Sequence, residues 1–439
     1  MTTMRATRLP VIGLAVLMAG VFGADALLAQ SGRQSYLERR ADERRNTEGD
    51  KIEEPQVLFP EATRAEPKQR ATSRFQRQLN GMIESLNEGD AAKALETAKA
   101  VAEDERANAY EKSVALQVAG NASSELDDTV AAIDYLSGAL EAGGLDNNAH
   151  YSTMQNLAAF QANEDRLDDA IATLQRLVQE TNTKRPEIHV VLASALFQDE
   201  RFADAIASVN KAISLAPEPK DEWLRLLQAA YAENDQQAES VKVGEQLLAR
   251  TPDDKRLVFA LASSYLDLEQ EAKAEALLQQ ARTKGLFTEA RDYQALYSIL
   301  FNMDGKEKDV ITVIEDGLGK GLLKRDLQTL GALAQAAYFA EDMPKAIATY
   351  KEAAALDPKG ETGLNYAKVL SAEARDAEAR DAAKAALAKG VAKPGEAWMV
   401  IARSESQLDN VAATRAALQE AAKFPEAREQ ATKMLQQNR

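Results

Sequence analysis

At 439 residues the chain exceeds what one hydrophobic core usually spans, so several domains or a repeat array are expected. Hydrophobic residues make up 45% and aromatics only 5%, alanine is abundant, and alternating β-branched stretches are almost missing, which makes the chain all-α. A net charge of −16 argues against nucleic acid, whose phosphates need a basic surface. The absence of cysteine removes disulfides, thiolate metal sites, cysteine nucleophiles and an acylated N-terminus together.

In chain order, the first element reads as a targeting segment. Arg5 and Arg8 form a positive start, "VIGLAVLMAGVFG" an apolar run, and "ADA" (Ala24 to Ala26) a small-residue cleavage site. The apolar run is shorter than the roughly 20 residues of a spanning helix, and Asp25 ends it. The expectation is a signal peptide over 1–26, with cleavage after Ala29 as the alternative. The mature chain would then be exported to a bacterial periplasm with no integral membrane segment. Residues 27–73 are dense in charge, poor in apolar groups and carry three prolines, the composition of a disordered or loosely helical tail. Within it "VLFP" (Val57 to Pro60) reads as a casual hydrophobic contact rather than a docking peptide. Opposite charges nearly cancel over residues 1–73, so the excess negative charge belongs to the folded part.

From residue 74 onward one pattern recurs: small, three residues, bulky, two residues, small, four residues, turn. Ala346, Tyr350, Ala353 and Pro358 fit it. So do Ala132, Leu136, Ala139 and Gly144; Ala205, Val209, Ala212 and Pro217; and Ser240, Gly244, Leu247 and Pro252. Further copies begin at Ala170, Ala274, Val310 and Ala379, and weaker ones near Ala94 and Ala413. The first small residues are separated by 38, 38, 35, 35, 34, 36, 36, 33 and 34 residues. A fixed period near 34 in helical sequence is the signature of stacked helix pairs, none of which buries its apolar stripe alone. The partner helix lies upstream. Twelve residues before the marker sit Gly120, Ala158, Ala193, Ala262, Ala334 and Ala367, small enough for two helices to close up. Nine before it sit Leu196, Tyr231, Tyr265 and Phe301.

At these residues the chain resembles the tetratricopeptide repeat (TPR) family over roughly 74–439, about ten helix pairs. The resemblance implies a right-handed superhelical α-solenoid whose concave face is lined by the first helices. It departs from the family at the first-helix tryptophan, which only Trp223 approaches, and at several missing prolines. A narrower resemblance runs from Asp221 to Phe287 ("DEWLRLLQAAYAEN", "LLARTPDDKR", "ARTKGLF"). This stretch is similar to periplasmic repeat proteins linked to the TonB–ExbB–ExbD energy-transduction system, although Leu257 and Val258 stand where that group tends to carry aromatics.

No catalytic constellation emerges. His150 and His189 lie in different repeats without metal-ligand spacing and read as packing or surface residues. "GLGKG" (Gly317 to Gly321) lacks the preceding strand and Lys-Ser/Thr pair of a phosphate loop and reads as a helix-ending turn. "NEDRLDD" (Asn163 to Asp169) lacks the glycine and terminal glutamate of a calcium loop. The expectation is therefore no enzyme, no cofactor and no metal. Val190, Phe197, Arg225, Phe259, Leu266 and Tyr338 occupy the first-helix positions expected to face the groove, where they would hold an extended peptide or helix. The function expected is a periplasmic scaffold for a protein partner in TonB-dependent outer-membrane uptake, with a TonB/ExbB/ExbD-type complex as partner. The alternative is an envelope assembly factor for peptidoglycan machinery or polysaccharide export.

Overall fold

The computed structural model describes residues 57–68 and 70–437. The expected signal peptide and the tail as far as residue 56 lie outside the described residues. Among these, every regular element is an α-helix. The chain divides into two compact units after Leu247.

The first unit holds α1 (Gln76–Asn87), α2 (Ala91–Glu103), α3 (Ala109–Glu125), α4 (Thr129–Ala142), α5 (Asn147–Asn163), α6 (Leu167–Thr181), α7 (Pro186–Gln198), α8 (Phe202–Leu215), α9 (Asp221–Glu233) and α10 (Gln237–Arg250), which ends just past the division. The second holds α11 (Lys255–Asp267), α12 (Glu271–Thr283), α13 (Ala290–Phe301), α14 (Glu307–Gly319), α15 (Leu327–Phe339), α16 (Met343–Leu356), α17 (Glu361–Ala372), α18 (Asp376–Lys389), α19 (Pro394–Gln407), α20 (Val411–Ala421) and α21 (Arg428–Gln437). Within each unit, helices neighbouring in sequence pack together, α9 and α10 through the Ser240 hydroxyl on the Gln228 carbonyl (3.0 Å), so each is a run of stacked pairs in solenoid order. The ten helix pairs match the number of repeats read from the period.

The packing follows the small-residue register. Ala94, Ala132, Ala170, Ala205, Ala274, Val310, Ala346 and Ala379 are all fully buried. So are Ala193, Ala334 and Ala367 on the first helices. A Cβ on Gly120 would lie 2.6 Å from Cδ2 of Leu136, so α3 and α4 touch where any larger residue would force them apart. The last copy is displaced by one residue from its expected start at Ala413. The buried set on α20 is Thr414, Ala417, Leu418 and Ala421.

One device makes nine of the ten turns inside a pair; the α13–α14 turn, five residues long, keeps only its left-handed Gly305. Asp127, Asp165, Glu200, Asp235, Glu269, Glu341, Ala374 and Asp409 take the left-handed conformation, with φ between 55° and 60°. Gly89 and Gly305 fill the same place in the other two pairs. In the nine, the following residue donates its N–H to a carbonyl five positions back, as Arg201 does to Leu196 and Asp342 to Ala337. This closes the first helix and re-aims the chain within three residues.

The expected disordered tail is corrected where it is described. Residues 57–68 and 70–73 form a strap along the loops that join one pair to the next. Phe59, 3% exposed, seats among Tyr151, Met154, Leu177 and Ile188. Leu58 N–H donates to Asn148 Oδ1 (2.9 Å), and Thr63 N–H to the Glu180 carbonyl (2.7 Å). The Arg64 guanidinium donates to the carbonyls of Gly143 (2.8 Å) and Leu145 (3.0 Å) and to Asn147 Oδ1 (2.9 Å). Nearer the helices, the Thr72 N–H and hydroxyl both donate to buried Glu111. The strap thus ties the α2–α3, α4–α5 and α6–α7 junctions, and it is ordered because the carbonyls at helix ends need donors.

Candidate functional site

The six groove positions fall three to each unit, and their surroundings differ. In the first unit Val190 and Phe197 lie two turns apart on α7, and Arg225 takes the matching place on α9. Val190 and Arg225 are half-buried. Phe197 is only 6% exposed, its ring 5.3 Å from that of Phe202 and nearly edge-on. The left-handed turn at Glu200 brings Phe202 back onto Phe197, so this aromatic closes its own helix pair. Its expected place on an open groove is thereby corrected.

In the second unit Phe259 and Leu266 share one face of α11, and Tyr338 takes the Leu266 register on α15. Phe259 is half-buried against Phe287, ring to ring 5.7 Å, and Phe287 stands edge-on to Tyr293. Lys255 Nζ lies 5.9 Å from the Phe259 ring centre and is held there by Asp292 (2.6 Å) and Thr288 (2.7 Å). Leu266 and Tyr338 remain open, 38% and 36% exposed. Beside Tyr338 stands Phe339, 57% exposed with its ring 5.5 Å away. Sequence reading passed over Phe339 because the groove register ends at Tyr338. The doublet "YF" in the last turn of an otherwise alanine-rich helix was the available signal.

The charged groups near these aromatics serve junctions. Asp316 accepts from Tyr293 Oη (3.0 Å), Arg282 (3.2 Å) and Lys320 (3.1 Å). Burial pushes its carboxyl up, but these donors outweigh it and hold the group below the ordinary aspartate value. The "GLGKG" stretch is a helix-ending turn: Leu322 and Leu323 both donate N–H to the Gly317 carbonyl. In "NEDRLDD", Asp165 is a left-handed turn residue and Asp169 pairs with Arg166 at 2.7 Å. His189 is buried with Nε2 3.2 Å from the Thr183 carbonyl, and burial lowers its pKa. Among the described residues, no group of three or more His, Cys, Asp or Glu is placed to hold a metal ion.

Comparison with known proteins finds partial similarities only. The sequence profile of the ChAPs family (Chs5p-Arf1p-binding proteins) matches residues 145–293. A search among curated proteins finds no match. Among solved structures, a tetratricopeptide repeat protein from Parabacteroides merdae ATCC 43184 is similar at 15% identity and a TM-score of 0.37, covering 60% of this chain and 99% of its own. YrrB, described as a TPR protein with an unusual peptide-binding site, is similar at 18% identity and a TM-score of 0.36, covering 42% and 90%. The Naa15/Naa10 complex bound to HypK-THB gives 12% identity and a TM-score of 0.42, covering 83% and 66%.

Proposed function

We propose that this chain is a non-enzymatic scaffold that holds a protein or peptide partner on the first-helix face of its second unit. The observation that carries the reading is the open apolar side chains at matching places on two first helices, Leu266 on α11 and the adjacent Tyr338 and Phe339 on α15. Most large apolar side chains here are buried, yet these three sit in the last turns of first helices. Exposed aromatics next to small neighbours are the usual anchors of a helix-in-groove or extended-peptide contact. The partial match to a family named for binding two other proteins supports the same class of function.

The finer reading is an accessory of TonB-dependent outer-membrane uptake, located in the periplasm. Its support is the N-terminal sequence, with the Arg5/Arg8 start and the "ADA" site, together with the Asp221–Phe287 likeness. Among the described residues no helix is long and apolar enough to cross a membrane.

A photo-crosslinking residue at position 338, in the full chain expressed in cells, tests the scaffold reading. The expected outcome is one discrete adduct that disappears when Leu266 and Phe339 are both changed to serine, with helix content unchanged. A missing adduct, or one indifferent to those changes, overturns it. N-terminal sequencing of the mature protein tests the location: a start at residue 27 or 30 supports export, and an intact Met1 refutes it.

A further inference from the structure

Beneath the strap lies a titratable group that the binding surface leaves unused. His150 on α5 is 2% exposed, and neither ring nitrogen has a hydrogen-bond partner among the described residues. Its ring stands edge-on to Tyr151, 5.1 Å away at 86°. Tyr151 in turn meets Phe59 of the strap, again at 5.1 Å. The charged groups that face His150 are Arg64 from the strap and Arg176 and Glu180 from α6, two cations against one anion. Glu180 also anchors the strap, since its carbonyl accepts from both the N–H and the hydroxyl of Thr63. A buried imidazole without an acceptor is tolerated only while neutral. A proton on it adds a third positive charge beside Arg64, the residue that fastens the strap to Gly143, Leu145 and Asn147.

We propose that the strap is a pH-gated latch: protonation of His150 drives residues 57–66 off their seat on α5, α6 and α7, while the helix pairs stay folded. This goes beyond the scaffold reading and does not rest on it.

The direction follows from linkage. Burial first, then the Arg64 and Arg176 charges, hold the seated imidazole down at about 4, from its ordinary 6.5. A released strap lets it return toward the ordinary value. The seated state is therefore fully favoured above about pH 6.5 and loses ground as pH falls toward 4. Between pH 7.5 and 4.5 the ratio of seated to released strap falls by up to about 10²-fold. Two further carboxylates anchor the strap: Glu66, which accepts from the Asn147 N–H (3.2 Å), and Glu61, which is held below the ordinary glutamate value by its hydrogen bond and charge pairing with Lys184. Glu61 stays ionised through most of this window and does not set the transition.

Because the chain has no cysteine, two labels can be placed without background. Val57→Cys on the strap and Gln179→Cys on α6 are both exposed positions. The distance between labels is read from pH 7.5 to 4.5, with far-UV circular dichroism followed in parallel. The expected result is a short, narrow distance at pH 7.5 that becomes long and broad by pH 4.5 at constant helix content. In His150→Gln and in His150→Phe that change disappears, and in His189→Gln it persists. A distance that stays short at pH 4.5, a transition retained in both His150 variants, or one that coincides with loss of helix overturns the latch.

Discussion

Gly144 and Ala109 meet backbone to backbone: a Cβ built on Gly144 lies 2.2 Å from the Ala109 carbonyl oxygen. The Gly144 N–H also donates to buried Ser113 Oγ at 2.8 Å. The start of α3 and the α4–α5 loop are thus pressed together with no room for a side chain. Gly144→Ala is expected to separate them and cost about 1–3 kcal/mol by overpacking. Urea unfolding followed through Trp223, the tryptophan of the first unit, with Trp398 replaced by phenylalanine, reads the change. An unshifted midpoint would mean that the loop moves aside freely.

Ala193 of α7 is fully buried at the small-residue position where paired helices touch. Ala193→Leu inserts several heavy atoms into a packed seam, and a loss of about 1–3 kcal/mol is expected. The neighbouring Val190→Leu, at a half-buried position, is expected to cost less than a third as much. Equal losses in the two variants would refute the assigned contact.

A substitution toward glycine is expected to stabilise. Ala374 is exposed and left-handed, φ 55°, with no side-chain group to bond the local backbone. An L-residue there costs roughly 1–2 kcal/mol, from which the extra unfolded-state entropy of glycine subtracts part. Ala374→Gly should gain about 0.5–1 kcal/mol, seen as a higher Tm of the second unit through Trp398. A lower Tm would show that the turn carries no strain.

Glu111 is buried with three donors on its carboxylate: the Thr72 N–H and hydroxyl, and the Asn108 N–H. Burial raises its pKa, but the Asn108 and Thr72 bonds outweigh that and hold it below the ordinary glutamate value. Its contribution is therefore complete above the ordinary value and is lost as pH falls through the depressed one. Glu111→Gln should cost about 1–3 kcal/mol at pH 7, since an amide donor then faces donors. The gap between wild type and variant should narrow below pH 4. A constant gap from pH 7 to 3 would exclude the carboxylate as the source.

The helix pairs were legible in the sequence because their physics is periodic. A stripe of small residues buried every 34 or so positions writes itself into the chain, and Ala94 through Ala379 are buried where that period puts them. Turn residues were less legible. Eight of the ten are not glycine, and Asp and Glu there look like ordinary surface charge. The groove was legible only as a register. Whether Phe197 faces outward depends on where Phe202 lands after the turn, a contact between neighbouring helices that no single-helix pattern records. Least legible was the strap, because several of its anchors are main-chain carbonyls at Gly143, Leu145 and Glu180, whose positions leave no trace in residue type.

The strap also reverses the timing of assembly. Thr63 and Glu180 are bonded across 117 residues, whereas stacked pairs contact one another across about one repeat. A chain synthesised from its N-terminus presents Phe59 and Arg64 first, yet their seats exist only after α5, α6 and α7 have formed. Residues that emerge ahead of every helix therefore dock only after seven helices have formed. Their docking marks completion of the first three pairs and α7. It gives a chain of otherwise neighbour-to-neighbour contacts one long closure, slow to make because the intervening loop must be ordered first. Once made, it requires the three junctions it spans to open together rather than one by one.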